Sequence, residues 1–268
     1  MLGESSQFGG DWRESQKHWP ELHYFDTSDD LNVVSASLDS GYSDASITRT
    51  VVQLSHPALS APIVVDVLRG RSNKAVSYDL PFYVQAQLVN FDGELAKNKT
   101  SLDVLGKNNG YQYLWVEGIG KPAQDHIQMS WLKDRSFYTL HSLAPENTAP
   151  VMVRLGANDP DFNLLPVQGV VLRAPKAKSA SFVNVFETHG VYDSAAEFTV
   201  GSEPQVMGLE HVRSGDADLV LLTLRDGSEL TIAISNDPKA DRQHKVVENE
   251  REWLWQGFVD VLHRGAES

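Results

Sequence analysis

Short runs rich in valine, isoleucine, threonine and aromatic residues recur along nearly the whole chain, each closed by glycine, proline, asparagine or aspartate. Such runs fit a pleated, half-buried strand, and the residues between them are turn formers. They fall at 31–38, 47–54, 63–68, 82–89, 111–116, 127–132, 137–140, 151–155, 169–173, 181–187, 219–224 and 229–234. In the second run Thr48, Thr50 and Gln53 alternate with apolar positions, the period of a strand with one wet face. Asp226-Gly227 between the last two runs predicts a tight hairpin with positive φ angles. Residues 252–262 alternate through Trp253, Trp255, Val259 and Val261, which predicts strands there too. No segment carries a long apolar stripe at helical period. A dozen or more antiparallel strands exceed a comfortable open sheet. The fold class expected is therefore all-β, a large antiparallel β-sandwich of two or more packed sheets. Residues 1–268 read as one domain with a loop-rich segment at 1–30. The polar break at 174–181 is too short to mark a boundary.

Composition narrows the functional classes. With 41% hydrophobic and 22% charged residues, the chain can bury a sizeable core. It has no cysteine, which excludes disulfides, thiolate zinc sites and cysteine nucleophiles. The net charge of −13 argues against nucleic acid as a partner, since phosphate contacts need a clustered basic face. No apolar run approaches the roughly 18 residues of a membrane helix, and the first ten residues do not read as a signal peptide. Periplasm and cytoplasm both remain open. There is no glycine-rich phosphate loop, no His-Glu-x-x-His and no Gly-x-Ser-x-Gly, which disfavours nucleotide-dependent, thermolysin-like and esterase chemistry.

The densest polar-aromatic stretch is FGGDWRESQKHWPELHYFD at 8–26, with His18, His23, Asp26, Trp12 and Trp19. Loops of this composition carry function where a scaffold positions them, although a solvated surface loop is the commoner outcome. His18 and His23 are five apart, not the spacing of a helical metal pair. His56 follows a strand, Tyr42 sits in a turn-like SGYSDA, and Asp79 opens a strand as a turn cap or ligand. Arg154 could grip a carboxylate through its fork or pair with a nearby acid. Asn98-Lys99-Thr100 has the pattern of a glycosylation acceptor, a pattern that arises often by chance.

The ordered segments FGGDW, KHWPE, RTVVQLSHPAL, PIVVDV, SYDLPFY, NGYQYLWVE, RSFYTL and RLGANDPDFNL resemble oligoalginate lyases, the family-17 polysaccharide lyases of heparinase II/III-like type. The resemblance runs over about residues 3 to 200, and SYDLPFY and RLGANDPDFNL are its most specific parts. It implies the C-terminal β-sheet domain of that family, without the helical toroid that carries the family's Asn-His pair and main catalytic tyrosine. The implied chemistry is β-elimination at a uronate: the sugar carboxylate is neutralised, the C5 proton removed and the leaving oxygen protonated. Tyr42 matches by position the one tyrosine that the sheet domain supplies. The resemblance also implies a zinc module of two histidines and one aspartate. Asp26 and His56 match two of these ligands, and Gln7 stands where the other histidine belongs, a weaker donor than imidazole.

Three functions are consistent with these readings. One is a lyase-related module of alginate oligosaccharide degradation that contributes to β-elimination only with a toroid partner. Another is a non-catalytic carbohydrate-binding or assembly module, with Trp12, Trp19 and Tyr42 stacking on sugar faces, Arg49, Arg69, Arg71 and Lys74 as a basic patch, and His18, His23 and Arg154 as further substrate contacts. The third is a stand-alone enzyme on small unsaturated uronates, which needs Tyr42, Asp26 and His56 clustered. A sheet face left without its toroid predicts either a toroid-domain partner or a homo-oligomer.

Overall fold

The computed structural model describes residues 1–97, 103–122, 126–155, 167–215, 217–239 and 241–265. The described residues form nineteen strands, β1–β19. The first seven are β1 (Glu21–Thr27), β2 (Leu31–Tyr42), β3 (Ala45–Leu54), β4 (Ile63–Val84), β5 (Gln87–Phe91), β6 (Leu95–Lys97) and β7 (Asp103–Val104). Then come β8 (Leu114–Gly120), β9 (Ile127–Lys133), β10 (Ser136–Leu143), β11 (Ala149–Leu155), β12 (Val167–Asp193) and β13 (Phe198–Val200). The last six are β14 (Val206–Ser214), β15 (Ala217–Leu224), β16 (Glu229–Ser235), β17 (Gln243–Glu248), β18 (Arg251–Gln256) and β19 (Val259–Arg264). Helix is confined to short turns, among them α1 (Trp12–Ser15), and no helix of the described residues is long and apolar enough to cross a membrane.

The all-β sandwich expected from the sequence is the fold observed. Thirteen strands make one sheet whose spine is the antiparallel pair β4 and β12. One half of that pair carries β3, β2 and β1 on one side and β10, β9 and β5 on the other, while the other half carries β11 and β8. Between the halves the register shifts twice, at Ala174/Ala177 and Ala177/Ser179. Such bulges bend a strand and increase its twist, so the sheet curls over on itself. The polar break expected at 174–181 is thus no break: Pro175, Lys176, Lys178 and Ser179 are exposed on a strand that keeps its partner.

A second sheet, β14-β15-β16-β19, packs on one face of the first. Val33, Val52, Val65, Val67, Val183 and Val185 meet Val220, Leu222, Ile232 and Phe258 there. The hairpin β17-β18 covers the outer side of the second sheet, with Trp253 and Trp255 against Leu219 and Leu221. Strand β15 is therefore buried on both faces, which explains its unbroken apolar run ADLVLLTL. A further core fills the curl of the large sheet, around Tyr78, Leu80, Met129, Leu172 and Phe182.

Four local expectations need correction. Residues 21–27, read as loop, are the edge strand β1; every residue but Tyr24 is exposed, so no apolar alternation marks it. The run 82–89 divides, because residues up to Val84 pair with β12 and those from Gln87 pair with β9. At 111–116 the strand begins only at Leu114, after a 3-10 turn entered through Gly110 at φ +96°. At the Asp226-Gly227 hairpin Gly227 alone has positive φ, and Gly227 N–H donates to Leu224 O while Leu224 N–H donates to Ser228 O. That is a three-residue loop with a glycine bulge. The strands expected across 252–262 are β18 and β19. The triplet Asn98-Lys99-Thr100 and residues 156–164 of the RLGANDPDFNL segment lie outside the described residues.

Candidate functional site

On the face of the large sheet that points away from the second sheet lies an open cleft of about 820 Å³. Strand alternation builds its floor. Residues opposite the buried valines of β2, β3 and β4 point to this side, namely Val34, Ala36, Ile47, Arg49, Val51 and Leu68. Phe82 and Phe186 close one side and pack edge to face at 5.7 Å. The N-terminal segment supplies the rim, with Gln7, Phe8, Asp11 and Trp12. Asp11 caps the one-turn helix there, accepting from Arg13 N–H at 2.8 Å and Glu14 N–H at 3.2 Å. Mostly apolar walls with few polar groups are the usual make-up of a small-ligand cleft.

Two polar groups stand out in the cleft. Arg49 donates through Nε to Asp66 Oδ1 at 2.7 Å and through Nη2 to Asp66 Oδ2 at 3.0 Å, leaving Nη1 outside the pair. Asp66 also accepts from Asn184 Nδ2 at 3.1 Å, and Ser142 donates to Asn184 Oδ1 at 2.7 Å. These four side chains form a ladder across β3, β4, β12 and β10, on one face by register. Its inner members are buried, whereas the Arg49 side chain is half exposed. The bidentate carboxylate raises the Arg49 guanidinium pKa further, so its charge is permanent.

Tyr42, the last residue of β2, donates to Ser5 O at 3.4 Å. Burial pushes its phenol far above the ordinary range, Asp79 adds to the rise, and a backbone hydrogen bond from Leu2 opposes it. At neutral pH this phenol holds its proton and can donate it; as placed, it is no base.

Behind Tyr42 sits a buried junction. Asp79 accepts from Arg173 Nε and Nη2, both at 2.9 Å, and from the Tyr111 hydroxyl at 2.7 Å. Burial first, then Asp79, pushes the Tyr111 phenol well above its usual range. Asp79, left open in the sequence reading between turn cap and ligand, is thus the acceptor at a structural hub.

The remaining sequence candidates scatter. His18 stacks on Phe8 at 5.0 Å and bonds Glu14 at 3.1 Å near the cleft rim. Trp19 is 79% exposed. His23 bonds Asn236 O at 2.9 Å, on the second-sheet side. Arg154 pairs with Glu117 at 3.4 Å on β11, away from the cleft lining. Asp26 pairs in register with Val33, so it points to the second-sheet side, opposite the cleft. His56 lies beyond β3, against His263 at 5.0 Å, where burial lowers its pKa. Gln7 is on the cleft side. Asp26, His56 and Gln7 therefore do not converge, and among the described residues no group of three or more His, Cys, Asp or Glu is placed to hold a metal. The donors as placed do not fit zinc, and no step below passes through a metal.

The ladder partners Asp66 and Asn184, with Tyr111 and Arg173, were missed by sequence reasoning. A signal exists for the first two: each is a lone polar residue inside an apolar strand run, IVVDVL and FVNVF.

No family model matches the chain. It is 35% identical over 267 residues to an exo-oligoalginate lyase of Saccharophagus degradans and 31% identical over 264 residues to an alginate lyase of Stenotrophomonas maltophilia. Each match covers 98% of this chain, and the chain spans about a third of these relatives' length, 36% in both. Among solved structures, the heparan sulfate lyase HepC of Pedobacter heparinus superposes with a TM-score of 0.51 over 81% of this chain and 28% of its own, at 12% identity, a likeness of fold alone.

Proposed function

We propose that this chain, an alginate-lyase-related sheet domain, forms one wall of a uronate-binding active site, and that β-elimination there requires the helical toroid of the family, on the same polypeptide or another. The observation that carries the reading is the cleft itself. It sets one permanent cation, Arg49, and one protonated phenol, Tyr42, on an apolar sheet face beside the exposed indole of Trp12. Those are the elements that a uronate ring needs: a guanidinium for the carboxylate, an indole for the sugar face and a proton donor for the leaving oxygen. Among the described residues the one carboxylate lining the cleft is Asp11, held at the rim as the cap of α1, so this reading assigns abstraction of the C5 proton to the toroid.

The test is calorimetry with mannuronate and guluronate oligomers, run beside an ultraviolet assay for the unsaturated product. The chain alone binds oligomer and releases no product, and Arg49→Ala weakens binding about tenfold, the loss of one charge-assisted contact. Turnover by the chain alone, or binding indifferent to Arg49→Ala, overturns the proposal.

A further inference from the structure

A second groove, of about 760 Å³, lies where the long strands β4 and β12 bend. We infer that this groove, built on Arg71, Lys178 and Arg213, is an accessory subsite for the carboxylates of a short acidic oligosaccharide, separate from the cleft that holds Tyr42 and Arg49. Its ligand class rests on the uronate reading above; its location and charge do not.

Register puts the groove together. Arg71 is directly opposite Ser46 on one side and Ser179 on the other, so the three side chains share a face. Arg213 comes across from β14 in the second sheet and donates to Ser181 Oγ at 3.5 Å, two residues along the same face. Lys178 is the single residue of β12 between the bulged positions Ala177 and Ser179. Bulges re-aim side chains and often border sites. Ser43, Ser72 and Asn73 complete a lining of hydroxyl and amide groups.

Charge decides what this lining can take. Arg71, Lys178 and Arg213 are all exposed, and among the described residues none of them has an ion-pair partner. Of the two carboxylates in the lining, Asp44 is taken by Lys74 at 3.1 Å, which leaves Asp39. Three cations gathered without matching acids are unusual on a chain of net charge −13. Interior groups register the crowding. Arg69, one step down the face from Arg71 and paired with Asp218, is brought to about 10 by burial and then by Arg213 and Arg71. Two guanidinium forks favour carboxylates over neutral sugars. Past Arg213 the surface continues to Glu210 and Glu248, so the anionic stretch of the ligand ends there.

The experiment is calorimetry and NMR titration of the whole chain with an oligouronate, a neutral mannose oligomer of equal length, and sulfate. The wild type takes two oligouronates. Arg71→Ala with Arg213→Ala removes one event and leaves the other, whereas Arg49→Ala weakens the other about tenfold and leaves the groove. The charge-reversed pair Arg71→Glu with Arg213→Glu abolishes groove binding with no change in melting temperature. Loss of the cleft event alone strikes the function proposed above and spares this one. The inference is overturned if the groove variants bind oligouronate as the wild type does, if the neutral oligomer binds the groove equally, or if sulfate binds there and oligouronate does not.

Discussion

Asp79→Ala exposes how the N-terminal edge of the cleft is held. The Asp79 side chain is 1% exposed and gathers three donors, two from Arg173 and one from Tyr111. Removing the carboxylate leaves the Tyr111 hydroxyl, in a residue with no exposure, without an acceptor, at a cost of about 1–3 kcal/mol. Arg173 is 27% exposed and lies 3.6 Å from Glu4, so it can turn to that partner and to water. Its share is smaller, and the whole change costs about 3–5 kcal/mol, typical of breaking a buried pair from one side. Thermal unfolding entropy near 2 cal/mol/K per residue converts about 4 kcal/mol into a fall of roughly 7 °C for a chain of this length. The assay is urea and thermal denaturation of wild type, Asp79→Ala, Tyr111→Phe and the double variant. Tyr111→Phe removes the orphan hydroxyl, so in the Asp79→Ala background it recovers about 1 kcal/mol or more. The reasoning is refuted if Asp79→Ala costs less than about 1 kcal/mol, or if Tyr111→Phe makes the double variant worse by the same amount as in the wild type.

Three further outcomes are expected. His211, packed against the Asp218–Arg69 pair, is lowered from 6.5 to about 4, first by burial and then by Arg69 and Arg213. The unfolded chain then binds the extra proton first, so this contribution is complete above pH 6.5 and is lost as pH falls towards 4; His211→Gln flattens that slope, by at most about 3 kcal/mol in pH-dependent urea melts. Glu187 accepts from Gln205 N–H at 2.8 Å, Val206 N–H at 3.1 Å and His141 Nε2 at 2.7 Å, tying the entry of β14 to β12. Glu187→Ala costs about 3 kcal/mol or more, and hydrogen exchange quickens first at residues 205 and 206. Gly190 has φ +57°, and a Cβ there would collide with the backbone of Gly201, so Gly190→Ala destabilises by about 2 kcal/mol or more in denaturant titration.

Much of the fold was legible because its signal is local. Alternation at Thr48, Thr50 and Gln53 marks β3, and the Trp253, Trp255, Val259 and Val261 pattern marks β18 and β19, since each strand shows two faces to two environments. Strand β1 was illegible because an exposed edge strand, stabilised by main-chain bonds to β2, asks little of its side chains. The bend at 174–179 read as a break for a related reason: bulged backbone keeps its partner while its side chains turn to water. At the site, Tyr42, Arg49 and Trp12 could be named from the sequence and do share one cleft. Asp26, His56, His23 and Arg154 could be named equally well and do not join it.

The sequence by itself determined the class of fold, the parity of alternating strands such as β3 and β18, and the absence of thiol chemistry. Those follow from period-two patterning and composition, which act within a few residues. Only the tertiary structure decided which polar residues meet. Asp79 finds Tyr111 32 residues away and Arg173 94 residues away, and Asp66 finds Asn184 across 118. Parity sets which face a side chain is on, and register between distant strands sets its neighbour there. That register is chosen by the packing of whole sheets and by the bulges that bend them, not by the residues at either end of the contact.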